Sequence, residues 1–243
     1  MTLIWAHARS SALTAFNTLE SYAQAVAEGA DGLELDVHLT GDGHLVCCHD
    51  GHLPLPDGTT LTVGAATVED LVRVEVGDAT TGPTRIPLLR DVYELLGPTE
   101  MQLNVEVKNL VHRYPGIAEQ LRRSLRESGM IERITVSSFQ HSLLTELQQH
   151  DSAIQTAALY ADGLIEPWTY FTSIGISQVH PHFSTLLDPG VLDRLLDENF
   201  VVRAWTVDDP ELWAQYVVEG MSGIITNDPV GALAARDALS AQP

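Results

Sequence analysis

Cysteine is nearly missing from these 243 residues: there are two, Cys47 and Cys48, and they are neighbours. Adjacent strand residues point to opposite faces, so a disulfide-stapled secreted scaffold is excluded and a reducing compartment is expected. No apolar run approaches the roughly 18 residues of a spanning helix, and Met1-Thr2-Leu3-Ile4 has no basic leader-like region. A cytoplasmic chain with no membrane span is the expectation. Basic residues are also scarce: 13 Lys and Arg face 33 Asp and Glu, a formal charge of −20. That charge argues against nucleic acid or an anionic membrane as partner, because either needs a basic face. Lys108 is the only lysine, and its neighbour Glu106 favours ion pairing, which counts against Schiff-base chemistry. No Gly-x-Gly-x-x-Gly follows the first apolar segment, so a dinucleotide-binding sheet is not indicated. Internal repeats, low-complexity stretches and Pro/Gly-rich linkers are absent too, and one domain over residues 1–243 is expected.

What is present is an alternation. Short apolar segments at Leu3–Ala6, Gly32–Leu39, Gln102–Val107, Ile134–Ser137, Gln155–Ala158, Ser177–Val179, Val201–Thr206 and Gly223–Thr226 read as strands. Amphipathic stretches near Thr18–Glu28, Val68–Val74, Leu88–Leu96, Ile117–Glu127, Ser142–His150, Pro189–Asn199, Pro210–Glu219 and Val230–Leu239 read as helices. Alternating strands and helices imply parallel pairing through helical crossovers. Eight such units in a chain of this length predict an α/β fold, a TIM (β/α)₈ barrel. Residues 41–67 lack a plain crossover helix and predict a small insertion after strand two. Residues 159–176 show no clean period and are left unassigned.

In a parallel barrel the strand C-termini converge on one mouth, where active sites sit. Strand one ends at His7. Strand two carries Glu34 and Asp36, two apart and so on one face, and strand three repeats the pattern with Glu106 and Lys108. Three carboxylates without a histidine box form an all-oxygen ligand set suited to one divalent cation, Mg²⁺ or Ca²⁺. His49, after the short strand Leu45–Cys48, adds a second imidazole to His7, the pair a phosphodiester cleavage needs as base and acid. Lys108 is a candidate contact for a phosphoryl oxygen, and Trp205 for stacking on the substrate. His180 and His182 shape the mouth or support the site.

At these residues the chain resembles the glycerophosphodiester phosphodiesterase family. The resemblance rests on Gly29-Ala30-Asp31-Gly32-Leu33-Glu34-Leu35-Asp36-Val37, His49-Asp50, Asn104-Val105-Glu106-Val107-Lys108, Ser137-Ser138-Phe139, Ala204-Trp205-Thr206-Val207-Asp208 and Gly223-Ile224-Ile225-Thr226-Asn227-Asp228-Pro229, in that order along nearly the whole chain. It implies a barrel that hydrolyses small glycerophosphodiesters, such as deacylated phospholipids, to glycerol 3-phosphate and an alcohol. It also implies Glu34, Asp36 and Glu106 as ligands of one divalent cation, and His7 and His49 as general acid and base; a monomer or homodimer is expected. The family route uses the glycerol 2-hydroxyl as internal nucleophile, through a cyclic phosphate. Two departures stand out. Where the family has His-Arg-Gly this chain has His7-Ala8-Arg9, and where it has Pro-Glu-Asn-Thr this chain has Ala15-Phe16-Asn17-Thr18. The usual phosphate-contacting Arg is Ala8, the usual Glu is Phe16, and Arg9 is the candidate substitute contact. The departures admit two alternatives: a barrel that binds phosphoesters with altered or lost catalysis, and a lyase-like phospholipase D relative that stops at the cyclic phosphate.

Overall fold

The computed structural model describes residues 1–8, 14–77 and 81–241. Its strands are β1 (Leu3–His7), β2 (Gly32–Leu39), β3 (Leu45–Cys47), β4 (His52–Pro54), β5 (Thr60–Thr62), β6 (Glu75–Val76), β7 (Thr84–Arg85), β8 (Gln102–Val107), β9 (Ile134–Ser138), β10 (Gln155–Tyr160), β11 (Gln178–Pro181), β12 (Val201–Ala204) and β13 (Gly223–Thr226). Strands β1, β2 and β8 to β13 pair in parallel around a ring that closes where Trp5 meets Gly32 and His7 meets Glu34. This is the expected TIM barrel. All eight strands lie where the apolar segments predicted them, with ends shifted by a residue or two.

The helices are α1 (Leu19–Ala27), α2 (Val68–Leu71), α3 (Leu89–Leu96), α4 (Ile117–Glu127), α5 (His141–His150), α6 (Pro167–Ser173), α7 (Val191–Asp197), α8 (Pro210–Val218) and α9 (Pro229–Ser240). Their starts follow local chemistry. Asp209 and Asp228 cap the first turns of α8 and α9 with their carboxylates, and a proline at the first helical position follows each. Thr18 caps α1 by accepting from the Ser21 N–H. The unassigned segment contains α6, seven residues with no resolvable period of their own, anchored by the fully buried Phe171.

The insertion after the second barrel strand begins where β2 outruns β1. Val37 to Leu39 have no β1 partner and pair antiparallel with β3 instead. Two further hairpins, β4–β5 and β6–β7, follow. They close over a small apolar cluster of Val46, Cys48, Val63, Leu71, Ile86 and Leu88. Both cysteines are buried and unpaired. Among the described residues no helix is long and apolar enough to cross a membrane.

Every residue of β2 is buried, because both faces of a barrel strand are covered. Leu33, Leu35 and Val37 face the helices and join the main apolar core. The alternate residues point inward, and register partners share that direction: Glu34, Asn104 and Thr135 lie abreast, as do Asp36, Glu106 and Ser137. The barrel interior is therefore polar. Toward its closed end the Arg203 guanidinium stacks 4.7 Å from the Trp5 ring centroid. Its Nη1 lies 3.0 Å from Gln178 Oε1 and 3.3 Å from His180 Nε2. Gly32 is demanded here, since a Cβ at that position would run into the Trp5 ring.

Candidate active site

Glu34, Asp36 and Glu106 reach the mouth from two adjacent strands in register, and one carboxylate oxygen from each lies within 4.8 Å of the others. All three are buried, and neither Glu34 oxygen has a hydrogen-bond partner. Burial, then the Asp36 and Glu106 charges, raise Glu34 well above the ordinary carboxylate range. Burial and Asp36 push Glu106 up to about 7 against the pull of Lys108. Such repulsion in a dry site is what a bound cation relieves. The donor set contains only oxygen, with no thiolate or imidazole among the three, so the residues fit a hard divalent cation.

Lys108 is directed into the same cluster. Its Nζ lies 2.8 Å from Glu106 Oε1 and 3.1 Å from Asp36 Oδ1. Burial alone would lower its pKa, but Asp36 and Glu106 outweigh that and hold it above the ordinary lysine value. Asp36 is fixed from the other side by Asn17, which donates to Asp36 Oδ2 at 2.8 Å and accepts the Asp36 N–H at 3.0 Å. Asn17 adopts a positive φ of 56° and accepts a third bond from the Tyr22 hydroxyl. A short polar side chain suits that left-handed backbone, which explains an asparagine at this place. Sequence reasoning passed over Asn17 and Tyr22 as site supports. The only trace was the Asn-Thr pair itself.

The two histidines occupy different cavities that share Glu106. His7 lines a narrow one, about 20 Å³, with Glu34, Asn104, Glu106, Leu159, Trp205 and Ile225. Its Nδ1 is 3.0 Å from Asn227 Oδ1. The Asn227 amide is oriented by Asp208, which accepts from Asn227 Nδ2 at 2.7 Å, so its oxygen must face the ring. His7 accordingly donates from Nδ1 and presents a bare Nε2, which is 3.9 Å from Glu34 Oε2. His49 lines a wider cavity, about 280 Å³, with Glu106 and Lys108. It too gives its Nδ1 hydrogen to an acceptor, Asp50 Oδ1 at 2.8 Å, leaving Nε2 available.

The loop carrying His49 is tied down by His38, which follows Glu34 and Asp36 on the inward face of β2. His38 is buried, which lowers its pKa to about 4, so the ring is neutral. Tyr114 donates its hydroxyl to Nδ1 at 2.6 Å, and Nε2 donates to the His49 carbonyl at 3.0 Å.

The remaining predicted residues divide. Trp205 lies just past the end of β12, pairs with His182 and donates its indole N–H to the His180 carbonyl. Its ring meets Phe139 edge-on at 5.7 Å, beside the cluster. His182 sits at the mouth, whereas His180 is fully buried in the barrel beside Arg203, away from solvent. Ala8 is buried with φ 47°, and Phe16 stands 5.9 Å from the His7 ring. Arg9 lies outside the described residues.

Comparison with known proteins gives a consistent picture. A profile of the glycerophosphoryl diester phosphodiesterase family matches residues 8–230. The chain is 33% identical to a glycerophosphodiester phosphodiesterase of Caldanaerobacter subterraneus subsp. tengcongensis, over 94% of this chain and 95% of that one. It is also 33% identical to one from Bacillus altitudinis, over 98% and 99%. Among solved structures, the glycerophosphodiester phosphodiesterase of Thermotoga maritima superposes with a TM-score of 0.77 at 26% identity, over 97% of this chain and 99% of that one. An Oleispira antarctica phosphodiesterase in complex with the product sn-glycerol-3-phosphate superposes with a TM-score of 0.83 at 22% identity, over 98% and 97%.

Proposed function

This chain belongs to the glycerophosphoryl diester phosphodiesterase family of phosphoric diester hydrolases, and from that premise we propose that it cleaves small glycerophosphodiesters to glycerol 3-phosphate and an alcohol. The observation that carries the reading is the buried carboxylate triad with the unpartnered Glu34 oxygens. The sn-glycerol-3-phosphate held by the Oleispira relative supports the product. Glu34, Asp36 and Glu106 would hold one divalent cation, Mg²⁺ or Ca²⁺. When bound, it supplies positive charge to the phosphoryl oxygens and acidity to a nearby hydroxyl.

The rest is the work of the protein. His7 and His49 each present Nε2 with Nδ1 already engaged, so the ring that is neutral accepts the nucleophile's proton, and the other, entering the step protonated at Nε2 as imidazolium, gives that proton to the departing alkoxide. Lys108 places its ammonium against the same carboxylates and adds a cation for a phosphoryl oxygen. Asn17 keeps Asp36 from rotating away. Trp205 forms a wall of the His7 cavity, and Arg9 is the candidate second phosphate contact. A cytoplasmic location fits the two unpaired cysteines.

The test is glycerol 3-phosphate release from a panel of glycerophosphodiesters with Mg²⁺, Ca²⁺ or EDTA, beside Glu34→Ala and His49→Ala. Cation-dependent release abolished in both variants is the expected result. A cyclic phosphate that persists would replace hydrolysis by the lyase reading. Absence of release from a folded, cation-binding chain would favour a phosphoester-binding barrel, the reading that Ala8 and Phe16 support.

A further inference from the structure

We infer that the cavity beside His49 is a subsite for an alkyl alcohol moiety, so that this chain favours glycerophosphodiesters whose alcohol is apolar. The inference rests on the phosphodiesterase reading and names its substrate class. The cavity measures about 280 Å³ and opens directly from Glu106 and Lys108, the groups that meet the phosphodiester. Its walls beyond them combine the apolar Leu110, Val111 and Phe139 with His38, His49, His112 and Asp50. Whatever part of the substrate projects from the phosphorus toward His49 must pass along these side chains.

Chemistry decides which part that is. Glycerol bears two free hydroxyls, and along the Leu110, Val111 and Phe139 side chains they would give up water without gaining partners, which only His49, Asp50 and His112 on the remaining wall could offer. A cationic alcohol fares little better. Glu106 is already paired with Lys108, and Asp50, exposed to water and bonded to the His49 ring, would hold a cation only through solvent-screened charge. An alkyl group loses nothing and gains burial.

The loop after β8 adds a second observation. Leu110 is 51% exposed and Val111 83%, both on a segment that follows a barrel strand and so stands at the mouth. Phe16, Leu164, Ile165 and Leu187, also exposed, lie in other loops that follow barrel strands. A chain of net charge −20 thus carries exposed apolar side chains around its catalytic opening. The size of the cavity and its continuity with the carboxylates favour the alcohol of a single substrate molecule over an extended apolar partner. The negative charge disfavours an anionic bilayer.

The experiment is a homologous series of glycerophosphodiesters with ethyl, propyl, butyl, pentyl and hexyl alcohols, assayed with the full chain and saturating cation. The leaving alkoxides have nearly the same basicity, so differences in kcat/KM report contacts with the alkyl chain. Burial of each methylene raises kcat/KM about three- to fourfold, levelling off once the chain outgrows the cavity. In Val111→Asp and in Phe139→Ala the slope of the series flattens, each variant's own ethyl ester serving as its reference. A flat or falling series in the unaltered protein, with glycerol 3-phosphate still released from the ethyl ester, overturns the subsite and leaves the phosphodiesterase reading standing. So does a glycerophosphocholine rate above that of the butyl ester. Absence of release from every ester, in a protein that binds cation, overturns the phosphodiesterase reading and the subsite with it.

Discussion

Glu34 is a buried carboxylate without a hydrogen bond, beside two others. That arrangement costs folding free energy and is retained for something other than stability. Glu34→Gln keeps the shape and removes one repelling charge. In EDTA the variant should unfold at higher temperature than the parent, by about 1–2 kcal/mol of added stability. With a saturating divalent cation the order should reverse, because the parent gains ligand-linked stability that the variant lacks. Its kcat/KM should fall by more than about 100-fold. Thermal unfolding with and without cation reads both halves, and a variant less stable than the parent in EDTA would refute the repulsion argument. Asp208 acts at one remove, through the Asn227 amide that sets the His7 tautomer. Asp208→Ala frees that amide to flip and should lower kcat by about 10- to 100-fold with KM little changed. A change confined to KM would mean that Asp208 serves binding instead. Glu34, Asp36, Glu106, His7, His49 and Lys108 were all legible in the linear sequence, because each is an ionisable group within or just after an apolar strand. Asn17, Tyr22, His38 and Tyr114 were not. Their roles exist only through hydrogen-bond partners 5 to 76 positions away, and nothing local distinguishes them.

At the scale of the element, the strands matched expectation because a barrel strand must be buried on both faces and reads as an apolar run. The helices of ten or so residues were legible from their 3.6-residue period, as α4 shows over Ile117–Glu127. Helix α6 was not, since seven residues make barely two turns. The inward faces of β11 and β12 hold a pair whose state the sequence did not announce. His180 is fully buried against Arg203. Burial first, and then the Arg203 charge, drive the His180 pKa well below its ordinary value of 6.5. The sign follows from linkage. Between the unfolded histidine value, about 6.5, and the depressed native one, the unfolded chain binds a proton that the folded chain does not, so stability falls as the solution is acidified. Above about pH 6.5 both states carry neutral imidazole and the effect vanishes. Urea unfolding from pH 7.5 down to pH 5 should show this loss, and His180→Gln should reduce it. An unchanged pH slope in a folded His180→Gln protein would assign the acid sensitivity elsewhere.

For the whole molecule, net charge dominates. At −20 the chain repels an anionic phosphodiester at long range, and at the mouth Lys108 and a divalent cation together would offset the three carboxylates. Raising ionic strength from about 0.01 to 0.15 M shortens the screening length from roughly 30 to 8 Å. With the cation held saturating, kcat/KM should therefore rise by a factor of a few, the opposite of a basic enzyme acting on the same substrate. A fall with added salt would show that local attraction at the mouth outweighs the global field. Composition, charge, the strand-helix alternation and the polar residues at strand ends were determined by the sequence by itself, because each depends on local period or on a simple sum. Only the tertiary structure decided which of those polar groups meet. Ring closure sets His7 beside Glu34, register sets Glu34 and Asp36 beside Asn104 and Glu106, and β2 outrunning β1 admits β3 and swings His49 over the mouth. These are agreements between segments far apart in the chain, fixed by hydrogen-bond register and close packing, and no local pattern encodes them.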